Sequence, residues 1–181
     1  MLEKEYERKL LIDFKKYNLL LIDLSEKIPR EDIFQINYYY DTLDFTIFYS
    51  GETLRIRQIE NNLKLQYKYN KTQINNIRIS DEYSEKISEL PESIIVNGVE
   101  TYNIGFMTTE RHNFNLENCI ISLDKNYYLG VVDYEIEVET EKEDELPDIL
   151  KNLNFESESI GKYRRFAEKL HKKGFKYEIR K

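Results

Sequence analysis

Glu5-Tyr6-Glu7-Arg8-Lys9 places a charge at four of five positions near the start of the chain. In an extended strand alternate side chains share a face, so Glu5, Glu7 and Lys9 project together while Tyr6 and Arg8 project away. Two carboxylates and an ammonium then line one side. A solvated strand edge carries the same pattern without any chemistry, and the stretch alone does not separate the two. Repetition gives it weight. Leu54-Arg55-Ile56-Arg57, Lys64-Leu65-Gln66-Tyr67-Lys68 and Glu135-Ile136-Glu137-Val138-Glu139 each put charge or polarity on one face and mostly apolar groups on the other.

Many strands of this kind predict a curved antiparallel sheet or barrel with a polar interior of both signs. Gathered carboxylates repel unless a cation sits between them, and oxygen donors in such number suit Mg²⁺ or Mn²⁺. Arg55, Arg57, Lys64 and Lys68 fall on facing sides of one expected hairpin, and the forked guanidinium geometry fits phosphate. Both sets in one cavity point to a metal-bound polyphosphate. A solvated basic hairpin is the plain alternative. With two histidines and one cysteine, zinc sites and Cys-His or Ser-His chemistry have little material.

The composition bounds these readings. A chain of 181 residues, 40% hydrophobic and 34% charged, predicts one globular domain over 1–181. Its net charge of -7 argues against general affinity for nucleic acid or anionic membrane, although a local basic cavity can still bind a small anion. Cys119 has no disulfide partner within the chain and reads as a packed strand residue. No apolar run is long enough to span a membrane and no signal peptide is apparent, so cytoplasmic residence is expected.

The elements that would position these residues follow in order. Asp13 can cap a helix over about 14–27, whose Phe14, Tyr17, Leu20, Leu21, Leu24 and Ile28 form one apolar stripe and place it against the outside of the sheet. A strand over 36–42 puts Asn37, Tyr39 and Asp41 on one face. A connection over 43–49 holds at most a short helical turn. A hairpin of Thr53–Glu60 and Leu63–Tyr69 turns at Asn61-Asn62. Residues 70–76 read as a polar loop, 77–87 as a strand or a short helix, and Pro91–Gly98 as a short helix or turn. A strand beginning at Ile104 leads through Arg111. Strands over 118–123 and 131–139 follow, separated by Asp124-Lys125-Asn126 and Gly130. A short helix is expected over 144–152. Ser159 is expected to cap a last helix with Ile160, Tyr163, Phe166, Ala167 and Leu170 on its apolar stripe. Lys162 and Arg165 flank that stripe, either solvated or covering a cavity mouth, and on the second reading Arg165 joins the phosphate-binding set.

The order of these features resembles the triphosphate tunnel metalloenzymes, or CYTH domain superfamily, which groups a class of bacterial adenylate cyclases with thiamine triphosphatases. Glu5-Tyr6-Glu7-Arg8-Lys9 is similar to that family's ExExK signature. Tyr39-Tyr40-Asp41-Thr42, Leu54-Arg55-Ile56-Arg57, Leu65-Gln66-Tyr67-Lys68, Leu123-Asp124, Gly130, Tyr134-Glu135-Ile136-Glu137-Val138 and Lys162-Tyr163 follow in the family's order. Overall length, the final acidic strand and the basic helix are most similar to a small bacterial group. The resemblance implies an α+β fold, a closed antiparallel eight-stranded β-barrel forming a tunnel with surrounding helices. It implies that Glu5, Glu7, Glu135 and Glu137, with Asp124, bind the divalent metal. Lys9, Arg55, Arg57, Lys68, Arg111 and Lys162 match residues that hold triphosphate, and Tyr39 with Lys68 matches a pair proposed as catalytic. Gln66 stands where threonine is frequent, Leu43 where proline often follows Asp-Thr, and Gly161 where a polar residue is common.

The leading expectation is therefore Mg²⁺- or Mn²⁺-dependent hydrolysis of a triphosphate, inorganic triphosphate first. The alternatives are adenylate cyclase chemistry, thiamine triphosphate hydrolysis and a non-catalytic polyphosphate-binding module. The expected partner is a small triphosphate, with no general nucleic-acid binding and no membrane; a homodimer is left open.

Overall fold

The computed structural model describes residues 2–74, 77–140, 146–155 and 160–174. Its strands are β1 (Leu2–Ile12), β2 (Arg30–Asp41), β3 (Thr53–Ile59), β4 (Asn62–Ile74), β5 (Ile77–Ile87), β6 (Ser93–Val96), β7 (Val99–Asn115), β8 (Cys119–Tyr128) and β9 (Val131–Thr140). The helices are α1 (Phe14–Lys27), α2 (Thr46–Tyr49) and α3 (Lys162–Lys172). The strands run β2-β3-β4-β5-β1-β9-β8-β7, and β7 pairs back onto β2. Eight antiparallel strands thus close into a barrel, the α+β architecture expected. Closure leaves none of the eight with a free edge over its paired length. The ninth strand, β6, is a short flap hydrogen-bonded to the early part of β7. The helix or turn expected over Pro91–Gly98 is this strand and its Asn97-Gly98 turn, because Ile94 and Ile95 satisfy their backbone groups on β7.

Several strands are longer than the hydrophobic pattern indicates. β4 continues through the region read as a polar loop, with an irregularity between Tyr69 and Thr72 where Asn70 takes a positive φ of 50°. Residues 77–87 form a strand, and Asp124-Lys125-Asn126, read as a separator, lies inside β8; the chain turns instead at Leu129-Gly130. The expected Ser159 cap and the start of the 144–152 helix lie outside the described residues. Asp148–Leu150 is a single 3₁₀ turn.

Strand alternation sorts the side chains. Outward residues Phe114, Ile121, Leu123, Ile136 and Val138 form one apolar core with Tyr17, Leu20, Leu24 and Ile28 of α1, as the stripe predicted, while Phe14 stays exposed. Asp13 caps α1 by accepting from the Lys16 amide at 2.7 Å. A second core gathers Tyr39, Tyr40, Leu54, Ile56, Ile104 and Met107 with Tyr163, Phe166, Ala167 and Leu170 of α3. Asp41, at the end of β2, anchors this second region. It accepts from the amides of Thr42, Ile47 and Phe48 at 2.7, 2.8 and 2.9 Å and from the Tyr163 hydroxyl, tying β2, α2 and α3 together.

Gly105 lets α3 approach β7. Its φ is +136°, and an added Cβ would stand 2.8 Å from Phe166 Cζ, inside contact distance. Gly105→Ala therefore strains the backbone and pushes Phe166 out of the core, and is expected to lower stability by about 2 kcal/mol or more. Urea unfolding of the two proteins checks this; an unchanged midpoint would show that the α3 packing yields without cost.

Candidate active site

Cross-strand register decides which charges meet. Residues directly opposite on neighbouring strands share a face. Glu7 of β1 therefore lies between Arg78 of β5 and Glu139 of β9, and Lys9 lies opposite Glu137. Arg55 of β3 is flanked by Tyr39 of β2 and Gln66 of β4, and Arg57 by Asn37 and Lys64. Lys68 faces Glu82, and Arg111, Asp124 and Glu135 form one row across β7, β8 and β9. These faces enclose a cavity of about 1120 Å³ inside the barrel. Its described lining carries eleven lysines and arginines against eight glutamates, a cationic surface in a chain of net charge -7.

Of the residues singled out from the sequence, Glu5, Glu7, Lys9, Tyr39, Arg55, Arg57, Lys68, Arg111, Glu137 and Lys162 line this cavity. Asp124, Glu135 and Arg165 do not. Asp124 and Glu135 are fully buried behind it, and Arg165 is engaged by Asp133 at 2.9 Å and Glu135 at 3.0 Å. Neither solvated nor at a mouth, Arg165 is drawn inward because Glu135 has to be neutralised where no water reaches.

The paired end of the site is built on Glu137. It contacts Lys9 and Lys162, both at 3.0 Å, and Arg111. Arg111 also holds Asp124 through two nitrogens at 2.7 and 2.6 Å. Lys162 Nζ sits 2.7 Å from Asp124 and also contacts Glu135. Burial pushes Asp124 and Glu137 upward, but Arg111 and Lys162 overcome this for Asp124, and Lys9 and Arg111 for Glu137, so both are held below the usual carboxylate range. Burial, with Arg111, Lys9 and Arg165 nearby, pulls the Lys162 amine well below its usual range against the opposing pull of Asp124, and three carboxylates surround the one nitrogen.

Oxygens of Asp124, Glu135 and Glu137 lie within 4.8 Å of one another, the candidate divalent-metal cluster among the described residues. All-carboxylate donors fit a hard ion such as Mg²⁺ or Mn²⁺. The Lys162 nitrogen already stands among these oxygens, at the place a metal ion would take. Nearer the cavity surface Glu5 pairs with Lys68, and Glu7 with Lys9 at 2.8 Å. Glu139 is pushed up by burial and by the neighbouring charge of Glu5.

Tyr39 and Lys68 are not in contact with each other. The Tyr39 hydroxyl approaches Met107 Sδ at 3.9 Å, its ring packs on Tyr163 and Phe166, and burial raises its pKa. Burial pulls Lys68 down, but Glu5 and Glu7 outweigh it and the net shift is upward. Burial thus favours the neutral phenol of Tyr39, and the two glutamates favour the ammonium of Lys68.

Sequence reasoning left Lys71, Arg78 and Glu82 out of the site, yet all line the cavity. Lys64 and Glu139, which alternation put on the charged faces, line it as well. Arg78 and Glu82 required the strand assignment of 77–87. Lys71 carried no signal: the irregularity at Asn70 reverses the alternation of β4 and brings its amine to Thr53 Oγ1 at 2.8 Å.

Comparison with known proteins agrees with this geometry. The family model described as the CYTH domain matches residues 3–169. No curated protein matches the chain. Among solved structures, a candidate adenylate cyclase from Bacillus halodurans is similar, with 25% identity, a TM-score of 0.71 and coverage of 91% of this chain and 98% of that one. A Hippeastrum protein studied as an adenylyl cyclase and reported with a dominant triphosphatase activity shows 23% identity, a TM-score of 0.62 and coverage of 76% and 80%. The PH1819 protein of Pyrococcus horikoshii shows 20% identity, a TM-score of 0.58 and coverage of 75% and 77%.

Replacing Lys162 by Met removes a cation from three buried carboxylates and is expected to cost about 3 kcal/mol at pH 7. Asp124 and Glu137 have depressed folded pKa values, so the stability they contribute is present above their unfolded pKa of about 4 and is lost as pH falls through the folded values. In the variant the share that Lys162 supplies, through Asp124, is absent from the outset. The stability difference between wild type and Lys162→Met should therefore shrink from pH 7 to pH 3 in urea titrations; a difference independent of pH would reject the ion-cluster account.

Proposed function

The chain belongs to the CYTH domain family of triphosphate tunnel metalloenzymes, and from that membership and the cavity we propose that it is a divalent-metal-dependent enzyme cleaving the phosphate chain of a triphosphate, inorganic triphosphate first. The observation that carries this reading is the cationic lining, in which Arg55 and Arg57 face the cavity without an ion pair among the described residues. Desolvated positive groups held together repel, and a multiply charged anion relieves the repulsion.

In this proposal Arg55 and Arg57 grip the non-bridging oxygens of the terminal phosphate, with Lys64, Lys68 and Arg78 along the adjoining wall. Asp124, Glu135 and Glu137, with Glu5 and Glu7 at the cavity surface, are the residues that would hold the metal. A divalent ion supplies charge neutralisation at phosphate oxygens. In this reading the Tyr39 hydroxyl and the Lys68 ammonium, the forms that burial and the two glutamates favour, donate hydrogen bonds to substrate or water oxygen as charge develops. Preorganised donors of this kind act most strongly where water is excluded.

A second reading, cyclisation of a nucleoside triphosphate with release of pyrophosphate, is favoured by the similarity to the Bacillus halodurans candidate adenylate cyclase. No comparison singles out inorganic triphosphate, so among named activities the cyclase has the more direct support. The two differ in products. Incubation with inorganic triphosphate, thiamine triphosphate and ATP, with Mg²⁺ or Mn²⁺, is expected to release orthophosphate from inorganic triphosphate and to stop on chelation. Cyclic AMP with pyrophosphate would establish the second reading, and binding without turnover would reject both.

Two double variants apportion the roles. Arg55→Ala with Arg57→Ala removes charged donors and is expected to weaken triphosphate binding by about tenfold or more. Glu5→Gln with Glu7→Gln keeps size but removes charge, and is expected to raise the metal concentration required for half-maximal turnover. Titrations of both ligands on both proteins check this; unchanged responses would remove these residues from the site.

A further inference from the structure

Several cations on the inner face stand opposite a carboxylate. Lys9 faces Glu137, Lys68 faces Glu82 and Arg111 faces Asp124 across their strand pairs. Arg57 and Arg55 break the pattern, for they face the amides Asn37 and Gln66. Each arginine donates through Nε to an amide oxygen, Arg57 to Asn37 Oδ1 at 3.1 Å and Arg55 to Gln66 Oε1 at 3.0 Å. A bond at Nε fixes the guanidinium near its stem. It leaves the two terminal nitrogens of the fork to point onward.

The amides are themselves held in the required sense. Gln66 donates Nε2 to Glu82 Oε1 at 2.6 Å, so its oxygen faces Arg55. Gln66 thus stands between an arginine and a glutamate that would otherwise pair, accepting from one and donating to the other. Asn37 is fully buried, and its Nδ2 has no protein partner while its oxygen takes Arg57. A buried unpaired donor is unfavourable unless a ligand or water meets it. Its place beside Arg57 adds a neutral donor to the two forks.

We propose that Asn37 and Gln66 are positioning residues that orient Arg57 and Arg55 without neutralising them, keeping both guanidinium forks as uncompensated positive charge for one terminal phosphate group. The ligand in this statement rests on the triphosphate reading; the orientation of the arginines does not. Neutrality is the essential property. Burial, with Arg55 and Arg111 nearby, pushes Arg57 down to about 9, still protonated at neutral pH; Glu139 and Glu82 oppose this only from a distance, and no carboxylate makes an ion pair with it among the described residues. A carboxylate at position 37 would pair with Arg57 and satisfy it in the empty cavity. Shortening residue 66 would admit Glu82 to Arg55. Either change trades anion affinity for resting stability.

Two variants and two readouts test this. Asn37→Asp is nearly isosteric, and Gln66→Ser opens the path between Arg55 and Glu82. In the ligand-free protein, methylglyoxal adds to deprotonated guanidine, and peptide mapping by mass spectrometry reads each arginine separately. Wild type should be modified at both arginines. Asn37→Asp should slow modification at Arg57 and spare Arg55, and Gln66→Ser should do the reverse. In calorimetry without metal, each variant should bind inorganic triphosphate about tenfold more weakly, with no loss of thermal stability in Asn37→Asp. A merely structural amide would lower stability without residue-selective protection. Equal modification rates in wild type and variants, or no modification of either arginine in wild type, would overturn the proposal. Selective protection without triphosphate binding by wild type would remove the triphosphate reading and leave the positioning roles in place.

Discussion

A buried carboxylate has to meet a cation, and inside this barrel Glu137 is where that requirement is concentrated. Lys9 from β1, Arg111 from β7 and Lys162 from α3 converge on its two oxygens. Three separate elements are thereby bound to one residue of β9. With Asp124 and Glu135 beside it, three buried carboxylates would share only Lys9 and Arg111 if α3 were not docked, and Glu135, whose ion pairs are with Lys162 and Arg165 of α3, would lose both. The position of α3 follows from this need as much as from its apolar stripe.

That docking sets up the rest of the interior. Once Lys162 is inserted, Tyr163 reaches Asp41, and Phe166 settles against Tyr39 and the glycine gap at position 105. The same helix therefore completes both an ionic cluster and an apolar core. Tyr39 belongs to that core by its ring and to the cavity by its place in the lining. Its aromatic packing makes a residue matched to a catalytic role structural as well.

Charge compensation across the cavity is uneven. Around Glu137 cations and carboxylates alternate at contact distance, whereas on β3 the arginines donate to amides and no ion pair answers them among the described residues. An anion entering the cavity gains little at the compensated end, where every charge is already answered. At the arginine wall it relieves repulsion. The asymmetry gives the cavity a direction, with phosphate oxygens drawn to β3 and the acidic cluster left for a cation.

Much of this was legible from residue order because strand alternation has a fixed period of two. Glu5, Glu7 and Lys9, Arg55 and Arg57, and Glu135, Glu137 and Glu139 each declare a common face without any knowledge of their partners. The α1 stripe and its Asp13 cap are equally local. What sequence could not decide was pairing. Register across strands distant in the chain determines that Arg57 meets an asparagine and Lys9 a glutamate, since opposite residues are chosen by closure of the barrel. The irregularity at Asn70 reverses the phase of β4 and turns Lys71 inward, a change that periodicity cannot register because it breaks the period. Arg165 and Lys162 look alike on a helix flank, yet one lines the cavity and the other is held behind it by Asp133 and Glu135. Local chemistry determined which side chains would face inward; only the three-dimensional packing decided which charges would cancel, because cancellation depends on distances between strands rather than on spacing along one.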